Sequence, residues 1–418
     1  MPQNDVTDPK SRPLRLLYIT SDAPFFVTHF LLLAAAARRY GYEVHVATPL
    51  DPKSGRGDEE AARKIEKTGL IFHRISLRRA NTNPFRELSI IREFGVLIAD
   101  VAPDLIHCLG MKPVVYAGAI ARLRGLPAIH AVIGLGLPFM GTSGMARLRK
   151  SLLLKGFAFA FGNRKARITI EHEEDRDLLL GAKAVDEARM ARLYGVGADL
   201  AAFHPRKDED AAAPLVVMFA ARLIEPKGVR DFVEAAGRLK RRAVSARFVL
   251  QCQLDLSNPN AITEAEVRAW HDKGLIEWWG STTDMPNALR KADIFCLPTY
   301  YREGTPKALI EAAATGLPIV TTDVPGCRDV VKSGDNGILI TPRSVDALEA
   351  ALLKLLQDDA FRRRAGQRGR AIAVERFDVE MFIKQSMDLY AEVAPRAGKS
   401  GAARGEDNHL PGRIVSSG

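Results

Sequence analysis

Two carboxylates, Glu303 and Glu311, stand eight positions apart in the stretch YREGTPKALIEAAATGLPIVTT, residues 301–322. Around them lie a Gly-Thr-Pro-Lys turn, an alanine-rich segment, a Gly-Leu-Pro break and a β-branched run. A carboxylate carries two acceptor oxygens and can clamp a vicinal diol, so one member of such a pair suits a ribose and the other a sugar. Pro306 fits the first position of a helix and Gly316 its end. Glu303 then sits just ahead of the helix, over its positive end, and Glu311 lies more than one turn inside. The N–H groups of Gly304, Thr305 and Lys307 would point at whatever binds, which favours an anion such as phosphate. Two glutamates at this spacing also occur by chance on ordinary helices, so the elements around them must decide.

For the pair to act, its loop must lie at the carboxyl end of a parallel strand, where open α/β sheets bind ligands. The run DIFCLPT (293–299) immediately before it has that signature. The same continuous apolar pattern occurs at 14–20, 43–49, 103–109 and 126–134, and again at 214–223, 246–252, 275–280 and 317–323. A helix is expected from THFLLLAAAARRYG, with Thr28 capping it after a loop SDAPFFV, and another from KPVVYAGAIARLRG. Strands alternating with helices predict α/β architecture: two doubly wound, parallel-sheet (Rossmann-like) domains facing a cleft. The expected division is a disordered N-terminus (1–12), a first domain (13–193) and a Gly-, Pro- and charge-rich linker (194–213). A second domain (214–375), a helix packing back toward the first (376–395) and a disordered tail (396–418) complete it.

Composition narrows the class. At 418 residues, two compact domains are the natural expectation, and no apolar run reaches membrane-spanning length. The N-terminal MPQNDVTDPKSRP has early acids and no apolar core, unlike a secretory signal. Four scattered cysteines fit a reducing, cytoplasmic setting. The net charge of +10 is concentrated: residues 101–170 hold ten basic side chains and one acid, Asp104. Within it, Arg147, Arg149 and Lys150 alternate with Leu and Ala, a pattern for an anionic membrane surface rather than nucleic acid, since aromatics are few. No histidine pair has metal-ligand spacing. The two Asp-x-Asp spacings, Asp175–Asp177 and Asp208–Asp210, read as solvated charge clusters, and no cofactor is called for. His107 and His130 read as satisfied core histidines.

The motif order resembles the retaining glycosyltransferases of family four, which have the GT-B fold. REGTPKALIEAAATGLPIVTTDVPGCRDVV followed by GDNGILI is similar to their E-x7-E signature, FAARLIEPKGV to their donor-phosphate segment, and YGVGADLAAFHP to their interdomain linker. LGMKPVVYAGAIARLRGLP and GLGLPF resemble the first domain of the bacterial branch that extends lipid-linked oligosaccharides and surface polysaccharides. The resemblance covers most of the chain.

It implies that Glu303, Arg222 and Lys227 serve catalysis. Glu303 would hold the transferred sugar, and Arg222 and Lys227 would neutralise a donor diphosphate. Glu311 would bind the ribose, with Gly304, Thr305, Pro306 and Lys307 completing the donor site; Lys112 and His29 would face the acceptor. The implied partners are a nucleotide sugar, with uridine diphosphate as the carrier, a lipid-linked or oligosaccharide acceptor, and the inner face of the cytoplasmic membrane. Transfer with retention, without metal, is the implied chemistry. Two alternatives share the architecture: a non-hydrolysing nucleotide-sugar epimerase, and a catalytically silent nucleotide-sugar-binding subunit, the latter motivated by the absence of glycine from TSDAPFF.

Glu303→Gln is expected to lower kcat by about a hundredfold or more, since one well-placed transition-state contact is worth ~3 kcal/mol. Glu311→Gln should chiefly weaken donor binding. Steady-state kinetics with varied donor separate the two effects, and unchanged constants in both variants would remove the assignment.

Overall fold

The computed structural model describes residues 12–50, 57–78, 83–135, 139, 143–207, 214–252, 254, 255, 258, 260–301 and 304–395. Both expected disordered termini, apart from Arg12, lie outside the described residues, as do Asp208, Asp210 and Glu303. Seven parallel strands build the first sheet: β1 (Leu14–Thr20), β2 (Tyr42–Thr48), β3 (Ile71–Arg74), β4 (Leu105–Leu109), β5 (Ala128–Val132), β6 (Ala166–Ile170) and β7 (Met190–Arg192). Their spatial order is β3-β2-β1-β4-β5-β6-β7. The helices between them are α1 (Ala23–His29), α2 (Leu31–Arg39), α3 (Asp58–Lys67), α4 (Pro84–Val101), α5 (Met111–Arg124), α6 (Gly144–Phe161) and α7 (Glu173–Gly181). Strand alternation sorts the buried side chains into two separate cores: Leu17 and Ile19 join one, Leu16 and Tyr18 the other.

The second sheet is also parallel, in the order β10-β9-β8-β11-β12-β13. Its strands are β8 (Leu215–Phe219), β9 (Ala246–Gln251), β10 (Glu277–Gly280), β11 (Ile294–Leu297), β12 (Ile319–Thr322) and β13 (Gly337–Ile340). The helices are α8 (Val229–Arg241), α9 (Glu264–Asp272), α10 (Met285–Arg290), α11 (Lys307–Ala314), α12 (Pro325–Val330), α13 (Val345–Gln357), α14 (Asp359–Arg376) and α15 (Val379–Val393).

Two sequence expectations are corrected here. Residues 23–29 are helical: Asp22 accepts from the Phe25 N–H at 2.6 Å, Pro24 occupies the first turn, and Thr28 lies inside α1 rather than capping a helix. Phe30, with φ of −122°, separates α1 from α2. The second concerns the histidines. His107 Nδ1 bonds the Tyr390 hydroxyl at 2.7 Å, but its Nε2 and both ring nitrogens of His130 are buried without hydrogen-bond partners. Burial pushes both histidines down to about 3, so each ring stays neutral.

The last helix binds the domains together. Val379, Phe382, Ile383, Met387 and Tyr390 of α15 belong to a core of the first domain. The Tyr390 hydroxyl meets the Tyr18 hydroxyl at 2.8 Å, and both tyrosines are fully buried. Where the chain re-crosses, Ala198 N–H donates to Phe377 O at 2.8 Å and Val379 N–H to Ala198 O at 3.0 Å. Tyr390→Phe strands the Tyr18 hydroxyl and the His107 ring, each leaving an unmet buried group that costs about 1–3 kcal/mol. Its thermal unfolding midpoint should fall clearly, and Tyr18→Phe added to it should cost less than Tyr18→Phe alone; additive losses would exclude the network.

Candidate active site

In each sheet the strand order reverses at one point, between β1 and β4 in the first and between β8 and β11 in the second. Turns leaving those strands diverge and open a crevice at the sheet's carboxyl edge. Arg222 and Lys227 follow β8, and Gly304 and Thr305 follow β11. All four therefore lie at the second reversal point.

The loop after β8 is packed onto the loop after β11. Pro226 O accepts from Tyr300 N–H at 2.9 Å and from the Thr299 hydroxyl at 3.2 Å. Gly228, at φ of 77°, lies so close to Pro298 that a Cβ there would stand 2.1 Å from its carbonyl oxygen. This clamp buries Lys227 and brings its Nζ 5.9 Å from the Tyr301 ring centre. Arg222 Nη1 donates to Asp255 Oδ2 at 3.2 Å, and Asp255 is buried. Pro306 is the N-cap of α11, one place earlier than the sequence suggested, and Lys307 is the first helical residue. One turn on, Lys307 pairs with the buried Glu311.

The first domain supplies the opposite wall. His29 Nδ1 donates to Phe25 O at 3.0 Å. Desolvation, then the charges of Lys307 and Arg222 across the cleft, push His29 down to about 3. It is therefore a neutral ring facing the second domain's cations. Lys112 is at the start of α5 but already paired, donating to Glu87 at 2.7 Å and to Arg78 O at 2.8 Å.

At the end of β6 the walls touch. Glu171 Oε2 accepts the Thr305 N–H at 2.5 Å, so this donor is engaged rather than open as the sequence suggested. His172 Nδ1 meets Asp329 Oδ2 at 2.6 Å, Arg192 reaches Asp329 Oδ1 at 3.2 Å, and Arg328 reaches Glu174 at 3.1 Å. Burial raises Glu171 to about 7 against the lowering by His172 and the Thr305 bond, with Asp329 and Asp175 adding to the rise. For His172 burial works downward, but the Asp329 bond and the charges of Glu171, Asp329 and Asp175 leave it raised. Asp175 is buried beside them, not part of a solvated cluster.

Arg222, Lys227, Gly304, Thr305, Pro306, Lys307 and Glu311 thus share one wall, with His29 facing them. Lys112 follows β4 in the first domain, and Arg147, Arg149 and Lys150 lie on α6. Sequence reasoning missed Asp255, Glu171 and His172. Glu171 left a trace: an acid directly after the buried strand ARITI, at the sheet's ligand-binding edge. On α6, Met145, Leu148, Leu152 and Phe159 are exposed. Their spacing puts them on one face, flanked by Arg149 and Lys155. Among the described residues, no helix is long and apolar enough to cross a membrane.

Such a wall, with two cations and a helix N-terminus facing a cleft, can hold a diphosphate and stabilise its departure. The comparisons agree with that class. Residues 15–163 match the family described as glycosyl transferase 4-like, and residues 214–358 the family described as glycosyl transferases group 1. The chain belongs to these family-four glycosyltransferases and has the GT-B fold. It is similar to the N,N'-diacetylbacillosaminyl-diphospho-undecaprenol alpha-1,3-N-acetylgalactosaminyltransferase of Campylobacter jejuni, 25% identical over 84% of this chain and 91% of that protein. The UDP-Gal:alpha-D-GlcNAc-diphosphoundecaprenol alpha-1,3-galactosyltransferase of Escherichia coli is 25% identical over 74% of this chain and 82% of its own. Among solved structures, Anabaena HepE in complex with UDP and glucose superposes with a TM-score of 0.69 at 16% identity, covering 90% of this chain and 99% of that one.

Proposed function

We propose that the protein is a retaining glycosyltransferase that moves a hexose or N-acetylhexosamine from a uridine diphosphate sugar to a lipid-linked saccharide, in surface polysaccharide or glycan assembly. The observation that carries this reading is the wall of Arg222, Lys227, the α11 N-terminus and buried Glu311 at the reversal point of the second sheet. The uridine carrier is supported by the UDP-containing neighbour, and the lipid-linked acceptor by the names of both relatives.

In the proposed mechanism the acceptor oxygen attacks the anomeric carbon from the face the diphosphate leaves. The carbon–phosphate-oxygen bond breaks as the new glycosidic bond forms, and the acceptor proton passes to the departing phosphate. Arg222 and Lys227 stabilise the charge growing on that phosphate. Glu303 holds sugar hydroxyls, and Glu311 the ribose. The second domain binds the donor, and the first domain, with His29 and Lys112, receives the acceptor.

The deciding experiment incubates the protein with a panel of uridine diphosphate sugars and polyprenyl-diphosphate-linked saccharides, reading products by intact mass and anomeric configuration by NMR. A retained anomeric linkage is expected. An epimer formed without acceptor, or donor binding with no transfer to any acceptor, would replace this reading. Because side-chain cations and a helix end carry the phosphate charge, transfer should persist in a chelator; loss restored only by magnesium or manganese would refute that.

The exposed stripe on α6 further supports peripheral attachment to the inner face of the cytoplasmic membrane, where a polyprenyl acceptor lies. A basic residue near an anionic leaflet contributes ~1 kcal/mol, and the attachment weakens as salt screens it. Wild-type protein should co-sediment with anionic vesicles and release in 1 M salt. Glu at Arg149, Leu152 and Lys155 together should abolish co-sedimentation; equal sedimentation of both proteins would dismiss the stripe.

A further inference from the structure

Between the walls of the cleft, one first-domain side chain occupies a seat on the proposed donor wall. Glu171 is 8% exposed, and its Oε2 accepts the Thr305 N–H at 2.5 Å, immediately before the N-terminus of α11. Gly304 makes room for it, because a Cβ there would stand 2.1 Å from that oxygen. The Thr305 hydroxyl in the same turn is buried without a hydrogen-bond partner. A polar group left unmet at the seat marks it as built for more oxygens than Glu171 brings. Separate crevices adjoin the seat, one lined by Thr299, Tyr301 and Pro306 and the other by Thr169, Glu171 and Leu193.

We propose that Glu171 is a donor-site residue contributed by the first domain, whose carboxylate holds the Thr305 N–H seat in the donor-free closed cleft and must yield it to an oxygen of the donor. The inference rests on the nucleotide-sugar reading above. Glu171 imitates the donor's acceptor chemistry with an oxygen from the opposite domain, so binding exchanges one oxygen for another. Burial penalises the Glu171 charge, so the displaced side chain regains solvation as it leaves. Its neighbours grip other groups: His172 and Arg192 hold Asp329, and Arg192 also holds Glu173. Release of Glu171 therefore frees the seat without removing those contacts.

The seat has two possible occupants, a diphosphate oxygen or a sugar hydroxyl, which two probes separate. Calorimetry with UDP and with UDP-glucose is run on the wild type, Glu171→Ala, Glu171→Gln and Asp329→Asn. Glu171→Ala should lower Kd about tenfold, the scale of one charge-assisted hydrogen bond removed from competition. Glu171→Gln should move it the same way by less. A gain for both probes puts a diphosphate oxygen in the seat; a gain for UDP-glucose alone puts a sugar hydroxyl there. Asp329→Asn loosens the cleft but leaves the seat occupied, so its gain should stay within about twofold. Should Glu171→Ala fail to fold, the isosteric Glu171→Gln decides. Unchanged or weaker binding in the Glu171 variants, or an equal gain in Asp329→Asn, overturns the inference alone. A wild type that binds neither probe overturns the nucleotide-sugar reading and the inference with it.

Discussion

Parallel strands impose one constraint from which the site follows. Every strand in each sheet runs the same way, so every strand-to-helix turn emerges along a single edge. Placing two such edges face to face gathers backbone N–H groups, helix N-termini and loop side chains into one cleft. No long-range guidance of individual residues is needed. Pro226 and Tyr300, more than seventy positions apart in sequence, meet because β8 and β11 are neighbours with matched polarity.

A cleft rich in positive ends needs compensating charge when its two walls close. The described structure meets that need one group at a time: Asp255 on Arg222, Glu311 on Lys307, Glu87 on Lys112 and Glu171 on the Thr305 N–H. These pairs keep cations from facing one another across poorly hydrated space, where like charges cost most. On the proposed reading, ligand binding here is an exchange of anionic partners rather than the filling of empty positive sites. Lys112 illustrates the consequence, since an acceptor phosphate would have to compete with Glu87 for it.

The strands were legible because a strand buried on both faces is a nearly continuous apolar run, as at 14–20, where the structure has β1 over the same residues. Elsewhere the apolar run exceeded the strand, as in 126–134 against Ala128–Val132, since residues flanking a ladder can be buried without joining it. Helix α1 was missed although Asp22 and Pro24 form a start signal; the stronger alanine-rich pattern behind them drew the boundary to Thr28. Strand β3, with its exposed ends, and the charge-rich helix α3 had no clear apolar run to announce them, whereas α4 was passed over despite its run FGVLIA. The proposed donor wall was readable because it is local, carried by two loops with ordered motifs. Glu171 and His172 were not, because their partners Thr305 and Asp329 lie 134 and 157 positions away. Spacing rules reach about one helical turn, and a contact between domains leaves no periodic trace.

The same geometry settles where relative motion of the two domains can be accommodated. Two chain segments cross between them, and they cross together: Ala198 is bonded on both sides to the strand-like turn at Phe377 and Val379. Gly197 allows that approach, since a Cβ there would lie 2.8 Å from the Val379 backbone. Beyond this crossing α15 is fixed by Phe382, Met387 and Tyr390 in an apolar core whose opening would expose large buried surfaces. The two domains are joined elsewhere by polar contacts: Glu171 to Thr305, His172 and Arg192 to Asp329, and Arg328 to Glu174. Water can replace each of these at small net cost, whereas it cannot replace apolar packing. Rotation about the paired crossing therefore breaks the cheaper set of contacts and preserves the dearer one.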